Sequence, residues 1–453
     1  MEDLDRQEIL EDVSFLIEEK QAPKLRAIML DAHPADIADL LMHMEGEHRR
    51  YLFDALDLRT TADVILEVDE STRQELIQAC DEDRLSGLVG EMNSDDAAAF
   101  IRELSPKLAA KVLKEIEPED SAEVRQLLAH EEDTAGGIMA LELVAVAQDR
   151  TVEEAIFEIR KKADEIETIN HVYVVDHKSR LVGIVPLKKL ILAEAYTPLS
   201  EIMNRDVISV QVGTDQEEVA KLARKYDLLS VPVVDAQGRL VGRITYDDIV
   251  DVIEEEAAED FSHMAGITKN GDWRESSVLR TVRLRLPWLV IGLFGGIAAA
   301  WILSFFEGRL QENIVVLMFF VPVVMAMGGN AGIQSSTIVV HGLATGGVDL
   351  SDTFRRLAKE MRVAFLNGFL CGMLIWLIIT VGWREPQFGA LVGVSLLIVM
   401  FMAALVGASI PLLLKRFDVD PAIATGPFIT ISNDILGLFI YMAISTLYFL
   451  HMK

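Results

Sequence analysis

The run Pro421 to Leu450 reads PAIATGPFITISNDILGLFIYMAISTLYFL, almost wholly apolar, with Asp434 near its middle. About 20 such residues in a helix cross the roughly 30 Å hydrocarbon core of a bilayer. A carboxylate at that depth costs about 2.5–3.5 kcal/mol on insertion scales, so it persists where it faces water, a partner or an ion. Four more apolar runs of membrane length precede it, at about 286–306, 313–341, 361–382 and 388–414, and none of these holds an acid. Two readings of Asp434 fit: a cation pathway, which is the default for such a residue, or a buried contact between helices or subunits.

Charge divides the chain at the same place. Residues 284–453 hold 10 Lys and Arg against 9 Asp and Glu, which leaves 32 basic and 62 acidic residues in the first 283, a formal charge of −30. A region of that length has room for about two domains. Its sign argues against nucleic acid, which needs a basic face, and favours cations. The opening MEDLDRQEILEDVSFLIEEK has neither the positive n-region nor the apolar h-region of a secretory signal, so the acidic region is expected to be cytoplasmic. The flanks of the apolar runs agree, because Arg280, Arg283, Arg285, Arg355, Arg356, Lys359, Arg362, Lys415 and Arg416 fall on the N-terminal side, and Arg309, Arg384 and Lys453 on the other. The positive-inside rule gives a multi-pass protein of the cell (inner) membrane with its C-terminus outside. Cys80 and Cys371 make neither a disulfide framework nor a metal motif.

Residues 1–130 read as successive helices. The stretches beginning at His33, Thr61, Asn93 and Pro118 each place polar capping chemistry before apolar residues at helical spacing. Their interval is irregular, about 24 to 33 residues, which predicts a small superhelix and not a strict solenoid. Acids at these helix starts serve equally as caps. Gly136-Gly137 then marks a boundary, and a tandem repeat follows: Val174-Val175-Asp176 to Val185 matches Val233-Val234-Asp235 to Ile244 at an offset of 59. Glu153-Glu154-Ala155 and Glu217-Glu218-Val219 open a helix before each copy, and the first helix is expected to be five residues longer. After the repeat, Asp247, Asp248, Asp251, Glu254, Glu255, Glu256, Glu259 and Asp260 crowd a stretch without Lys or Arg. Asp248, Asp251, Glu255 and Glu259 line one helical face, where each like-charge pair costs about 0.2–0.5 kcal/mol. A solvated acidic helix tolerates this, and divalent cations bridging the face would relieve it; oxygen ligands favour Mg2+ or Ca2+. In the second apolar run, Gly328-Gly329-Asn330 interrupts the pattern and predicts either a kink lining a water-filled path or close helix packing; Gly426-Pro427 raises the same choice in the last run.

The repeat resembles a pair of cystathionine-β-synthase (CBS) domains, most closely from Val207-Ile208-Ser209-Val210 through Gly242-Arg243-Ile244-Thr245-Tyr246-Asp247-Asp248-Ile249. Together with the helical acidic region, the acidic connecting helix, the GGN motif and the late Asn433-Asp434, the whole chain resembles the MgtE family of magnesium channels. The resemblance implies a multi-domain membrane protein: an all-α superhelical N-domain at 1–130, an α/β CBS-domain pair at 131–200 and 201–253, a connecting plug helix at 254–283, and an α-helical transmembrane pore domain of five segments at 284–453. It implies a homodimer in the lipid bilayer that takes up Mg2+ and closes when cytosolic Mg2+ is high, with no enzymatic activity and with ATP a candidate ligand of the CBS pair. On this resemblance Asp434 attracts the hydrated ion, Asn330 sits beside it, Asp420 lies at the cytoplasmic mouth, and Gly328, Gly329 and Thr430 are pore-lining candidates. Cytosolic metal sites map onto Asp63, Asp95, Gly137, Asp215, Glu217, Asp227, Asp248, Asp251, Glu256, Glu259 and Asp260. Asp63 stands where the family has a glutamate, Ala99 where it has an acid, and Ile333 where an amide often follows the GGN motif. A secondary transporter of Mg2+ or another divalent cation such as Co2+ or Ni2+ would use the same Asp434. A CBS-gated anion channel is disfavoured, since no intramembrane Arg or Lys offers an anion site.

Overall fold

The computed structural model describes residues 3–44, 46–163, 166, 168–264, 278–310, 313–344, 353–417, 419–424 and 426–451. The chain divides into two compact units, Met1–Glu254 and Glu255–Lys453.

The first unit opens with helices α1 (Asp3–Glu18), α2 (Ala22–Met29), α3 (Pro34–His43), α4 (Gly46–Ala55), α5 (Leu58–Glu67), α6 (Glu70–Ala79), α7 (Glu82–Glu91), α8 (Ser94–Glu103), α9 (Pro106–Glu115) and α10 (Pro118–Leu127). From α3 onward the helices start every 12 residues. Each two-residue connection begins with an apolar residue, Met44, Leu56, Val68, Cys80, Met92, Leu104 or Ile116, and most of these are buried. From Leu56 onward, the residue after it is the N-cap of the next helix. At Asp57, Asp69 and Asp81 the carboxylate accepts a backbone N–H three residues on, the preferred way to satisfy a helix start. Helix α3 packs on α5, α5 on α7, α7 on α9 and α8 on α10, as in a stack of hairpins.

The region is therefore a superhelix, but its period is strict, against the irregular interval expected from the polar motifs. Those motifs mixed true caps with other positions. His33 caps α3 through Nδ1, whereas Thr61 lies buried inside α5 with its hydroxyl donating to Asp57 O at 2.6 Å. Asn93 and Glu117 are N-caps without a side-chain bond.

The tandem repeat forms β1 (Ala145–Ala147), α11 (Val152–Lys161), β2 (His171–Val175), β3 (Leu181–Pro186), α12 (Leu187–Leu192) and α13 (Leu199–Ile202), then β4 (Val210–Gln211), α14 (Gln216–Tyr226), β5 (Ser230–Val234), β6 (Leu240–Thr245) and α15 (Tyr246–Met264). Each copy is a three-stranded sheet in the order β1-β2-β3 or β4-β5-β6, with its first strand parallel to the second and the second antiparallel to the third. The sequence offset is reproduced even in the register irregularity, at Val174/Val175 in one sheet and Val233/Val234 in the other. The five extra residues do not lengthen the first helix, since α11 has 10 residues and α14 has 11; they fall in the connection before β2. Buried residues of the second copy, including Val219, Val231 and Ile244, share one core with the helical stack, whereas Val144, Val172 and Val185 of the first copy form a core of their own. The acidic connecting helix begins at Tyr246, directly after β6, and not at 254; residues 265–277 of the expected plug segment lie outside the described residues.

The second unit holds α16 (Val278–Leu310), α17 (Asn313–Met318), α18 (Val321–Ala344), α19 (Thr353–Trp383), α20 (Pro386–Arg416), a 3-10 turn at Pro421–Ala424 and α21 (Pro427–His451). Five of these, α16, α18, α19, α20 and α21, are long and apolar enough to cross a membrane. The run expected at 313–341 is divided between α17 and α18, and its break falls at Phe319-Phe320, where Leu317 O accepts both Phe320 N–H and the Tyr441 hydroxyl. Helix α18 runs unbroken through Gly328-Gly329. Gly328 meets Val399 of α20, and an added Cβ at Gly407 would stand 2.3 Å from Gly332 O, so the two backbones approach closely there. In the last run the break is real, with Gly426 at φ +63 and Pro427 opening α21.

Candidate ion path and acidic sensor site

Helix α21 packs on α16, α18 and α20, and Asp434 stands half-buried about two turns in from its start at Pro427. Thr430, one turn earlier, donates its hydroxyl to Gly426 O at 3.0 Å, so it anchors the start of the helix. Asn330 is exposed on α18, while Gly328 and Gly329 are buried there. Asp420 is exposed and accepts the Ala422 N–H at 2.8 Å and a hydrogen bond with His263 Nδ1 at 2.9 Å. His263 lies on α15 one turn after Glu259, whose carboxylate is 3.7 Å from its Nε2. The sequence reading passed over His263, although it is the one residue able to carry positive charge in the acidic stretch between Arg243 and Lys269.

In the first unit, α8 opens with Ser94-Asp95-Asp96. Its cap comes from far along the chain: Glu142 accepts the Ser94 N–H and hydroxyl, both at 2.8 Å. Glu142 and Asp96 are absent from the sequence-derived set, because only folding brings residue 142 to residue 94. Burial pushes the Asp95 carboxyl well above its ordinary value, and the Asp248, Asp96 and Glu142 charges push it further. Burial and the charges of Asp248, Asp247, Glu142 and Asp251 raise Asp96 to about 7. Asp248 reaches back to accept the Thr245 N–H at 3.0 Å and its hydroxyl, the reverse of Thr245 capping the helix; burial, with Asp247 and Asp251, still lifts it to about 6. Asp251 is raised by burial and by Glu67 and Asp247. These acids crowd one another enough to hold back ionisation, which is the state a divalent cation relieves.

Other members of the expected metal set have structural duties. Asp215 is the N-cap of α14 and accepts the Glu217 N–H at 2.9 Å, and Glu217 pairs with Lys221 at 2.5 Å. Asp227 ends α14 in the left-handed conformation at φ +51. The Gly137 carbonyl accepts from Arg102 at 3.2 Å, so a cationic side chain already occupies one face of that oxygen. A Cβ at Gly137 would meet Glu131 O at 2.2 Å, which makes glycine obligatory there on packing grounds alone. Asp63 and Glu259 are exposed, and Glu256 and Asp260 half-buried. Among the described residues, no three His, Cys, Asp or Glu side chains gather into a group able to hold a metal ion.

Between the two sheets lies a buried polar chain. Tyr173 OH and Ser230 Oγ are 2.8 Å apart, and His171 Nε2 is 3.3 Å from the same Ser230. Burial and the neighbouring Arg243 guanidinium push His171 down to about 4, so it is neutral near pH 7. Arg243 donates to Thr168 O at 2.7 Å, and its Nε is buried without a partner.

Residues 321–444 match the family model for MgtE, described as a divalent cation transporter. Residues 32–133 match the MgtE intracellular N domain, and 135–196 and 199–255 match CBS domains. The magnesium transporter MgtE of Thermus thermophilus is 39% identical over 437 residues, 95% of this chain and 96% of that protein. The chain belongs to the MgtE family. MgtE of Enterococcus faecalis, also a magnesium transporter, is 38% identical over 72% of this chain and 71% of its own. A crystal structure of the soluble part of a magnesium transporter superposes with a TM-score of 0.52 at 33% identity, covering 56% of this chain and 99% of its own. The cytosolic domain of the Mg2+ channel MgtE in complex with ATP gives 0.52 at 37% identity, over 54% and 99%. A helical N-domain, a CBS pair and five apolar helices thus make this MgtE-family member a multi-pass membrane protein with cytosolic N-terminal domains.

Proposed function

We propose that the protein is a homodimeric Mg2+ channel of the inner membrane, with its C-terminus outside, that admits Mg2+ and closes as cytosolic Mg2+ rises. The observation that carries this reading is Asp434, an acid about two turns inside the last membrane helix, half-buried on a helix that packs on three others. Mg2+ sheds its water reluctantly, so a carboxylate in a narrow path selects it through charge and hydration shell. Asn330, Gly328 and Gly329 on α18 line the same path.

Gating rests on the acidic cytosolic surfaces. Asp95, Asp248 and Asp251, with Asp63, Asp215, Glu217, Asp227, Glu256, Glu259 and Asp260, take up Mg2+ when it is plentiful. Neutralised, they favour the state in which α15 closes the path at Asp420, where His263 already holds that carboxylate. Each ion shifts the balance only by its differential affinity for the two states, so several weak sites give the steep response. ATP is proposed as a ligand of the CBS pair. The partnerless Nε of Arg243 suits a phosphate oxygen, and neutral His171 can accept or donate one hydrogen bond.

Patch recording of the reconstituted protein with internal Mg2+ stepped from zero to millimolar tests this. Unitary currents that vanish at high internal Mg2+ are expected. Saturable flux without unitary current would favour an alternating-access transporter instead.

A further inference from the structure

The side chain of Asn433, next to Asp434 in sequence, is 2% exposed, and neither its Oδ1 nor its Nδ2 has a hydrogen-bond partner. Burying an amide unpaired is costly, and hydrocarbon supplies no water to relieve it. At that burial neither lipid nor a second copy of the chain reaches the group. Leucine would fill a similar volume without the cost. An orphan of this kind calls for a state in which it is satisfied.

The surroundings of Asn433 permit such a state. The carboxamide rests on Gly332, where an added Cβ would stand 1.8 Å from Nδ2. One turn along α21, Gly437 faces Val399, which also meets Gly328. At Asn433 this face of α21 therefore lies against backbone at Gly332, and one turn on it meets the Val399 side chain. Neighbouring residues of a helix are about 100° apart around its axis, so Asn433 and Asp434 occupy adjoining strips of α21. At its start the helix is set off from the preceding chain by Gly426, at φ +63, and Pro427.

We infer that Asn433 is a second cation-handling residue of the path. In the conducting state α21 turns on the Gly426-Pro427 break, and Asn433 Oδ1 accepts a hydrogen bond from a water of the hydrated divalent cation held by Asp434. The inference rests on the proposed channel reading, and goes beyond it by assigning a role to a side chain hidden in the resting bundle.

Two measurements test it. Asn433→Leu should lower the Mg2+ uptake of proteoliposomes by about tenfold, with a melting temperature equal to or above that of the parent protein, because the orphan amide is gone. Parent-level uptake by this variant overturns the inference. In a Cys80→Ser, Cys371→Ala background, Asn433→Cys should react with a small cationic methanethiosulfonate in Mg2+-free buffer and be protected by millimolar Mg2+; no reaction in either buffer overturns it, even if the leucine variant fails to fold. Asp434→Ala assayed in parallel separates the two ideas, since surviving uptake there defeats the pore assignment whatever Asn433 does.

Discussion

In the first unit the fully enclosed side chains include Phe53, Phe100, Ile65 and Leu88, and carboxylates such as Asp57, Asp69 and Asp81 sit at helix starts. In the second unit Trp301, Phe294, Leu289 and Val381 stand more than 60% exposed, while Ser336, Ser395, Asn433 and Ser445 are buried to 2% or less. The inversion follows from the solvent each unit meets. Water drives apolar groups inward, whereas lipid rewards an apolar exterior and leaves helix association to close packing and polar contacts. On the proposed reading, acids play opposite parts: crowded carboxylates in the first unit respond to cations, and Asp434 in the second marks a route through a largely apolar run.

That contrast can be broken most directly at Asp434. Asp434→Ala should reduce Mg2+ uptake to background while size-exclusion profile and thermal stability stay as in the parent, because the group attracts an ion and fills no core. Undiminished uptake by a well-folded variant would mean the acid is a helix contact after all.

Removing the acidic partner altogether comes next. A chain lacking residues 1–250 should conduct in patches without closing as internal Mg2+ rises. Closure retained in that truncation would move the sensor into the membrane unit.

A smaller change sharpens the role of charge against coordination. Replacing Asp248, Asp251, Glu255 and Glu259 with their amides removes repulsion along α15 but also weakens oxygen ligation. The internal Mg2+ needed for half-closure should rise by about tenfold, equivalent to roughly 1.4 kcal/mol. A channel that instead stays shut without Mg2+ would show that screening alone does the work.

The membrane seam offers a packing test. Gly407→Val pushes a side chain onto Gly332 O and should cost about 1–3 kcal/mol of stability, read as a lowered melting temperature in detergent. An unchanged value would show that α18 and α20 do not approach closely there.

The smallest expected effect is a pH dependence confined to the acidic cluster. Asp96 and Asp248 are raised in the fold, from 3.8 to about 7 and about 6. Their contribution to stability is therefore full below pH 3.8 and is lost as pH climbs through 6 to 7. Without divalent cations, amide protection factors around residues 94–98 and 245–251, referred to the intrinsic rate at each pH, should fall by about tenfold between pH 5 and 8, and Mg2+ at pH 8 should restore them. His171, lowered to about 4 from 6.5, acts in the opposite sense: its contribution is present above 6.5 and lost toward 4. Protection factors in the two acidic segments that hold or rise from pH 5 to pH 8 would contradict their assignment as a repulsive cluster.

Much of this architecture was legible along the chain, because membrane spans depend on run length, and CBS copies on a repeat that survives as matched register in both sheets. The 12-residue rhythm of the helical stack was legible too, in the pairs Leu56-Asp57, Val68-Asp69, Met92-Asn93 and Leu104-Ser105, but it shows only when the apolar residue before each cap is counted with the cap. Kink and close packing stayed open at Gly328-Gly329 because a glycine pair fits a bend and a tight helix contact equally well, and the deciding neighbours, such as Val399, belong to another helix.

Local pattern, spacing and charge by themselves determined the five membrane helices, the tandem α/β repeat, the acidic first unit and Asp434 as the acid of the last apolar run. Tertiary structure alone decided that Glu142 caps α8 across 48 residues, that His263 holds Asp420 across 157, and that Asn433 is hidden while Asp434 beside it is half-open. The physical reason is the range of the forces concerned. Hydrophobic periodicity and capping act within a turn or two and are written in consecutive residues, whereas burial and charge coupling depend on which distant segments the packed chain brings together.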